Sequence, residues 1–124
     1  MIKNKTYYQA IGKQPIVAKN GMAATSHPIA TEVAIEVLKA GGNAMDAAVS
    51  ACAVQCVVEP QSTGIGGDCF AIFSPLGKTN YSAYNGSGRT PAAADSSWYR
   101  SQGITNISEQ SPHAVTIPGA VDAW

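Results

Sequence analysis

Residues 44–58 carry only three polar side chains, Asp46, Ser50 and Gln55, in an otherwise unbroken run of Ala, Val, Cys and Met. No polar stripe recurs at the helical period, so a helix here has no face suited to water and must be covered on all sides. At about fifteen residues it is too short for a bilayer, which takes roughly 20. The spacing therefore predicts a central core helix, sandwiched between a sheet and another helical element, with alanines that allow close approach. Asn43 followed by Asp46 reads as a capped start, with Asp standing in for the Glu of a capping box. Glu59-Pro60 ends the helix, because the residue before proline avoids the α region.

The flanking segments supply candidate partners. Ile29/Val33/Val37 and Ala30/Ala34/Leu38 form two adjacent i,i+4 rows, one apolar stripe of a first helix. Thr25-Ser26-His27-Pro28 opens it, with Ser26 available as a cap, His27 at an entry where capping is its ordinary role, and proline in the first turn, and Gly41-Gly42 closes it. Before it, two short apolar runs joined through Asn20-Gly21 predict a hairpin with a type I′ turn. Cys69-Phe70-Ala71-Ile72-Phe73 suits a buried strand, residues 75–78 a turn, and residues 80–84 a return strand. A short helix over residues 95–102 carries Trp98 and stops at Gly103. Ala114-Val115-Thr116-Ile117 reads as strand, and Pro118-Gly119 opens a last helix that has barely begun at Trp124. Residues 1–14 are polar and read as a flexible N-terminal arm, with the folded portion over residues 15–124. A helix left one turn long on a Trp reads as the front portion of something longer.

Charge narrows the class of partner. Eight basic and eight acidic residues in 124 give formal net charge zero. That balance is unsuited to nucleic acid, and no stretch suggests a membrane. Three cysteines without a C-x-x-C pair fit reduced thiols better than a disulfide framework or a zinc ribbon. No apolar stretch follows Lys3 and Lys5, so the expectation is a cytoplasmic protein without a secretory signal.

Few residues offer chemistry. Gly64-x-Gly66-Gly67-Asp68 stands between helix and strand, the reverse of the dinucleotide fingerprint, and no P-loop Lys-Ser/Thr follows. It reads as a tight loop that lets backbone pass close to a neighbour. Cys52 and Cys56, four apart on the apolar helix, read as buried thiols, because metal binding needs further ligands. Cys69 with His27 or His113 would make a nucleophilic pair, but its place at the start of an apolar strand favours an inert thiol. Arg89 is the one cation in the glycine-rich corner after the second strand. It reads equally as a bidentate carboxylate ligand and as an exposed turn arginine. No metal, cofactor or catalytic residue is expected in this chain.

Taken in order, five segments resemble the γ-glutamyltransferase (γ-glutamyl transpeptidase) family: residues 21–28, 41–49, 57–60, 62–68 and 117–124. The resemblance implies an α+β fold, the four-layer α-β-β-α sandwich of N-terminal nucleophile hydrolases, of which this chain is the front portion. It implies a proenzyme that cuts itself before a downstream threonine, whose own amine is the base and whose hydroxyl forms an acyl-enzyme from a γ-glutamyl amide such as glutathione. Implied partners are the remainder of the large subunit, the small catalytic subunit and the amide substrate. Family relatives that hydrolyse oxamate or cephalosporin side chains supply an alternative substrate class, and a non-catalytic packing fragment is the remaining reading.

One departure concerns the substrate. The family's corner is an Asp-x-Arg-Glu-x-x-Pro-like stretch whose arginine grips the substrate α-carboxylate. Counted back from Pro91, that arginine's place falls on Ser87, and the arginine present, Arg89, lies two positions later. The resemblance therefore carries the substrate-binding role to Arg89, with Ser87 at the vacated place. The chain on its own is expected to catalyse nothing.

Overall fold

The computed structural model describes residues 15–75 and 79–124. The expected N-terminal arm, residues 1–14, and most of the turn at 75–78 lie outside these. The described elements are α1 (Pro28–Lys39), α2 (Ala44–Val58), β1 (Cys69–Phe73), β2 (Ser82–Gly86), α3 (Ser96–Ser101), a 3-10 turn (Pro112–Ala114) and α4 (Ala120–Ala123).

Local chemistry sets the ends of both long helices. Asn43 accepts from the Met45 and Asp46 amides at 2.8 and 3.1 Å, and Asp46 accepts from the Asn43 amide at 2.8 Å, which completes the capping box. At the end of α1, Gly42 N–H donates to the Val37 carbonyl and Gly41 N–H to the Leu38 carbonyl. Together with the left-handed φ of +95° at Gly41 this is a Schellman motif, which turns the chain directly into α2. At the start of α1 the capping role falls to His27 and not to Ser26: the His27 Nδ1 accepts from the Ile29 amide at 3.3 Å. The Ser26 hydroxyl is instead committed to Glu59 across the helix pair.

The two helices pack through small side chains. Ala30 and Ala34 of α1 and Ala47 and Ala51 of α2 form the buried cluster, flanked by Ala23, Val37, Leu38 and Val54. Its geometry corrects the all-round burial expected of α2. Only the α1 side is closed; Ala44, Ala48 and Ala53 are exposed, and Val57 is 78% exposed. The apolar surface predicted from the missing polar stripe is present, but the described elements cover one side of it.

The predicted hairpin around Asn20-Gly21 does not form. Gly21 lacks the positive φ that a type I′ turn requires. Its Cα instead faces Leu38, and Ala23 packs on the alanine cluster, while Ile16, Val17 and Met22 stay exposed. β1 and β2 pair antiparallel with Cys69 opposite Gly86 and Phe73 opposite Ser82. The return strand thus begins two residues later than expected. Nor is β1 buried. Cys69, Ala71 and Phe73 are half-buried, while Phe70 and Ile72 are 67% and 78% exposed.

The strand expected at 114–117 is also absent. Proline at 112 and 118 removes a donor at either end, and the first part winds into the 3-10 turn. Beyond that turn the chain is extended and makes one ladder-like bond, Ile117 N–H to the Arg89 carbonyl at 2.9 Å. α3 appears where predicted, capped by Asp95 and closed at Gly103, whose φ is +72°. Its Trp98 and Tyr99 rings meet His113 of the 3-10 turn edge to face, with centroids 5.9 and 5.2 Å away.

Candidate functional site

Three backbone segments converge beside the open end of the sheet. The loop at 64–68 turns tightly, with Gly67 N–H donating to the Gly64 carbonyl at 3.1 Å. Gly67 then offers its own carbonyl to the Gly119 and Ala120 amides at 3.1 and 3.0 Å, which serves the orphan donors at the start of α4. This is the close backbone passage expected of the glycine loop. The second segment is the corner at 87–89, and the third is the extended chain at 115–117.

Contact between these segments leaves no room for side chains. A Cβ at Gly88 would lie 1.5 Å from the Ile117 carbonyl oxygen, and one at Gly119 would lie 2.4 Å from the Gly86 oxygen. Asp68 ties the junction together: its Oδ1 accepts from Gly88 N–H at 3.1 Å and from the Thr116 hydroxyl at 3.4 Å. Ser87 N–H is held by Asn85 Oδ1 at 3.0 Å. Tyr84 adds a fastening from β2 to α4 by donating its phenol to Asp122 at 3.2 Å, and that carboxylate holds the phenol above its ordinary range.

Both predicted site residues, Ser87 and Arg89, sit on this corner and both are exposed. The backbone of Arg89 is engaged by Ile117, whereas its guanidinium has no carboxylate partner; Lys39–Glu36 is the one ion pair among the described residues. A fixed main chain thus presents a cation with unused donors. Asp68, which does the fixing, reads in the sequence only as the end of the glycine loop. Its signal was an acid placed directly between a glycine loop and a strand.

The other candidates fall elsewhere. Cys52, Cys56 and Cys69 are half-buried and line one cleft between α2 and the glycine loop. Burial pushes the Cys52 thiol up, and the Cys69 and Cys56 thiols add to that, which disfavours the nucleophilic thiolate. Cys56 contacts the Thr63 hydroxyl at 3.4 Å. His27 is occupied as a cap and His113 lies in the aromatic cluster, so the structure does not bring either to Cys69 as a hydrogen-bonded partner. A second cleft of about 440 Å³ separates α2 from the sheet and is lined by Val49, Cys52, Ala71, Phe73, Tyr84 and Trp124. No group of three or more His, Cys, Asp or Glu side chains suited to a metal occurs among the described residues. No helix among them is long and apolar enough to cross a membrane.

The fold is similar to those of several solved enzymes. It matches cephalosporin acylase from Bacillus halodurans with a TM-score of 0.82 and 38% identity, over 100% of this chain and 23% of that one. It matches Helicobacter pylori gamma-glutamyltranspeptidase with a TM-score of 0.74 and 31% identity, over 88% of this chain and 32% of that one. Among curated proteins, the glutathione hydrolase-like YwrD proenzyme of Bacillus subtilis is 33% identical over 109 residues, 88% of this chain and 21% of its own length. The family profile described as gamma-glutamyltranspeptidase matches residues 30–124. The chain belongs to the gamma-glutamyltranspeptidase family, and it spans about a fifth of the length of the curated relatives it matches.

Proposed function

We propose that this chain is the front portion of the large subunit of a self-cleaving amide hydrolase, and that its corner at 87–89 anchors the acid end of the substrate. The complete protein has the four-layer α-β-β-α sandwich. It cleaves a γ-glutamyl or related amide through an acyl-enzyme on a threonine downstream of Trp124, whose freed amine takes the hydroxyl proton. Its cut yields the small subunit, so the working partners of this chain come from its own precursor. That the relatives are named proenzymes supports the reading.

Burial points the same way. Among the described residues the five buried hydrophobic ones are all alanines, while Val57, Phe70, Ile72 and Val115 stay at least 65% exposed. Apolar surface on this scale calls for further protein against it. Trp124 Nε1 is buried without a hydrogen-bond partner among the described residues, which costs about 1–3 kcal/mol until an acceptor is supplied.

The observation that carries the substrate assignment is the unpaired, exposed guanidinium of Arg89 on a backbone locked from three sides. A planar fork of donors matches a carboxylate bidentately. In the complete protein, Arg89→Ala is expected to lower kcat/KM for a carboxylate-bearing amide about ten- to a hundredfold, the loss of roughly 1.5–3 kcal/mol. Arg89→Lys keeps the charge but not the fork and should fall between. Melting temperature should be unchanged, because the side chain is exposed. Unaltered kinetics in both variants would reduce Arg89 to a turn residue.

Ser87 favours a second reading within the same chemistry. With serine at the place of the family's arginine, the anchor is displaced by two residues. That supports, as the second reading, a related amidohydrolase with a different acid substrate, of the oxamate or acylase type named among the relatives.

A further inference from the structure

The backbone that carries Arg89 is pinned at four points. Cys69 pairs with Gly86, Asn85 holds the Ser87 amide, Asp68 holds the Gly88 amide, and the Arg89 carbonyl holds the Ile117 amide. Two of these use a side chain. Asn85 reaches only two residues along its own corner, so its bond shapes the turn without attaching it to anything. Asp68 spans 20 residues to Gly88 and 48 to Thr116, and it joins both to one oxygen. Its acceptor is a carboxylate, and charge-assisted bonds of this type are roughly twice as strong as neutral ones. Nothing else in the described structure fastens the corner to the glycine loop through a side chain.

We infer that Asp68 is a positioning residue for substrate recognition, holding Gly88 and Thr116 so that Arg89 projects at a fixed angle toward the substrate carboxylate. The inference rests on the reading of Arg89 as the carboxylate anchor. Asp68 itself touches no substrate. Its effect therefore depends on whether the substrate has a carboxylate for Arg89 to grip, and that dependence separates positioning from simple support of the fold. Asparagine at 68 keeps an oxygen acceptor for the Gly88 amide but loses the charge, so it should retain part of the function. Alanine keeps neither.

The test uses the complete, self-processed enzyme and two anilides of equal acyl chain length, glutaryl anilide with a terminal carboxylate and valeryl anilide without one. Asp68→Ala is expected to raise KM for glutaryl anilide about tenfold, with a smaller change in kcat and none in the kinetics of valeryl anilide. Asp68→Asn should recover part of that loss. The double variant Asp68→Ala/Arg89→Ala should be no worse than Arg89→Ala alone, since the two residues act as one unit. An equal loss on both anilides, or losses that multiply in the double variant, would overturn the positioning role while leaving Arg89 as the anchor. So would a full effect of Arg89→Ala beside no effect of Asp68→Ala. Arg89→Ala without effect on glutaryl anilide would remove the anchor, and this inference with it.

Discussion

Ala34→Asp is expected to abolish folding of the complete protein. Ala34 is 2% exposed in the middle of α1, where it meets Ala30, Ala47 and Ala51 at the centre of the helix pair. No cation belongs to this cluster or to the apolar residues packed around it. A carboxylate there either stays ionised without a partner or takes up a proton and still forces apart two helices that touch through methyl groups. Burying such a charge unpaired costs several kcal/mol, against roughly 5–15 kcal/mol for the whole stability of a typical domain. Ala40→Asp, just past the end of α1 and exposed, is the control and should cost no more than about 1 kcal/mol, the size of an unfavourable charge at a helix end. Soluble yield and thermal melting separate the two. A soluble, cooperatively melting Ala34→Asp protein would contradict the packing described for α1 and α2.

Gly88→Ala should have the second largest effect, and it acts on the site more than on the core. The added methyl would lie 1.5 Å from the Ile117 oxygen and 2.6 Å from its carbonyl carbon. Both are backbone atoms, and Ile117 is itself bonded to Arg89. The corner can admit the methyl only by moving away, which breaks the Ile117–Arg89 bond and draws the Gly88 amide off Asp68. Overpacking of this kind costs about 1–3 kcal/mol and occasionally more. A displacement of about 1 Å in a substrate-anchoring group is enough for roughly a hundredfold loss of rate. Gly66→Ala provides the contrast, since nothing lies within 4 Å of a Cβ there. Paired measurements of melting temperature and kcat/KM should show Gly88→Ala losing both and Gly66→Ala keeping both. Wild-type kinetics for Gly88→Ala would mean that the corner does not anchor substrate.

How much could be read from the sequence depends on the range of the interactions involved. The caps of α2, the Gly41-Gly42 stop and the Asp95–Gly103 limits of α3 depend on residues within a few positions of one another, and all appear as expected. The apolar character of residues 44–58 correctly predicted a helix but not its covering, because burial depends on elements far along the chain. The same reason accounts for β1. Its alternating half-buried and exposed residues show that one run of apolar side chains can satisfy a sheet face without being enclosed.

The errors at Asn20-Gly21 and at 114–117 differ in origin: Ala23 packs on the alanine cluster instead of entering a hairpin, whereas prolines at 112 and 118 limit the second segment to one ladder-like bond, Ile117 N–H to the Arg89 carbonyl. The candidate site was legible in part. Arg89 stands out in the sequence as the one cation of a glycine-rich corner, with Ser87 beside it. Asp68 does not, because its partners lie 20 and 48 residues away and no spacing rule connects them.

The proposed role, as part of a precursor that cuts itself, is tested by intact-mass spectrometry of the protein expressed from its complete reading frame. Two polypeptides are expected, whose masses, allowing for the water added at the cut, sum to that of the precursor. Residues 15–124 should lie in the larger one, and the smaller should begin with threonine. A single uncut polypeptide that hydrolyses the amide, or a cut before any other residue, would contradict it.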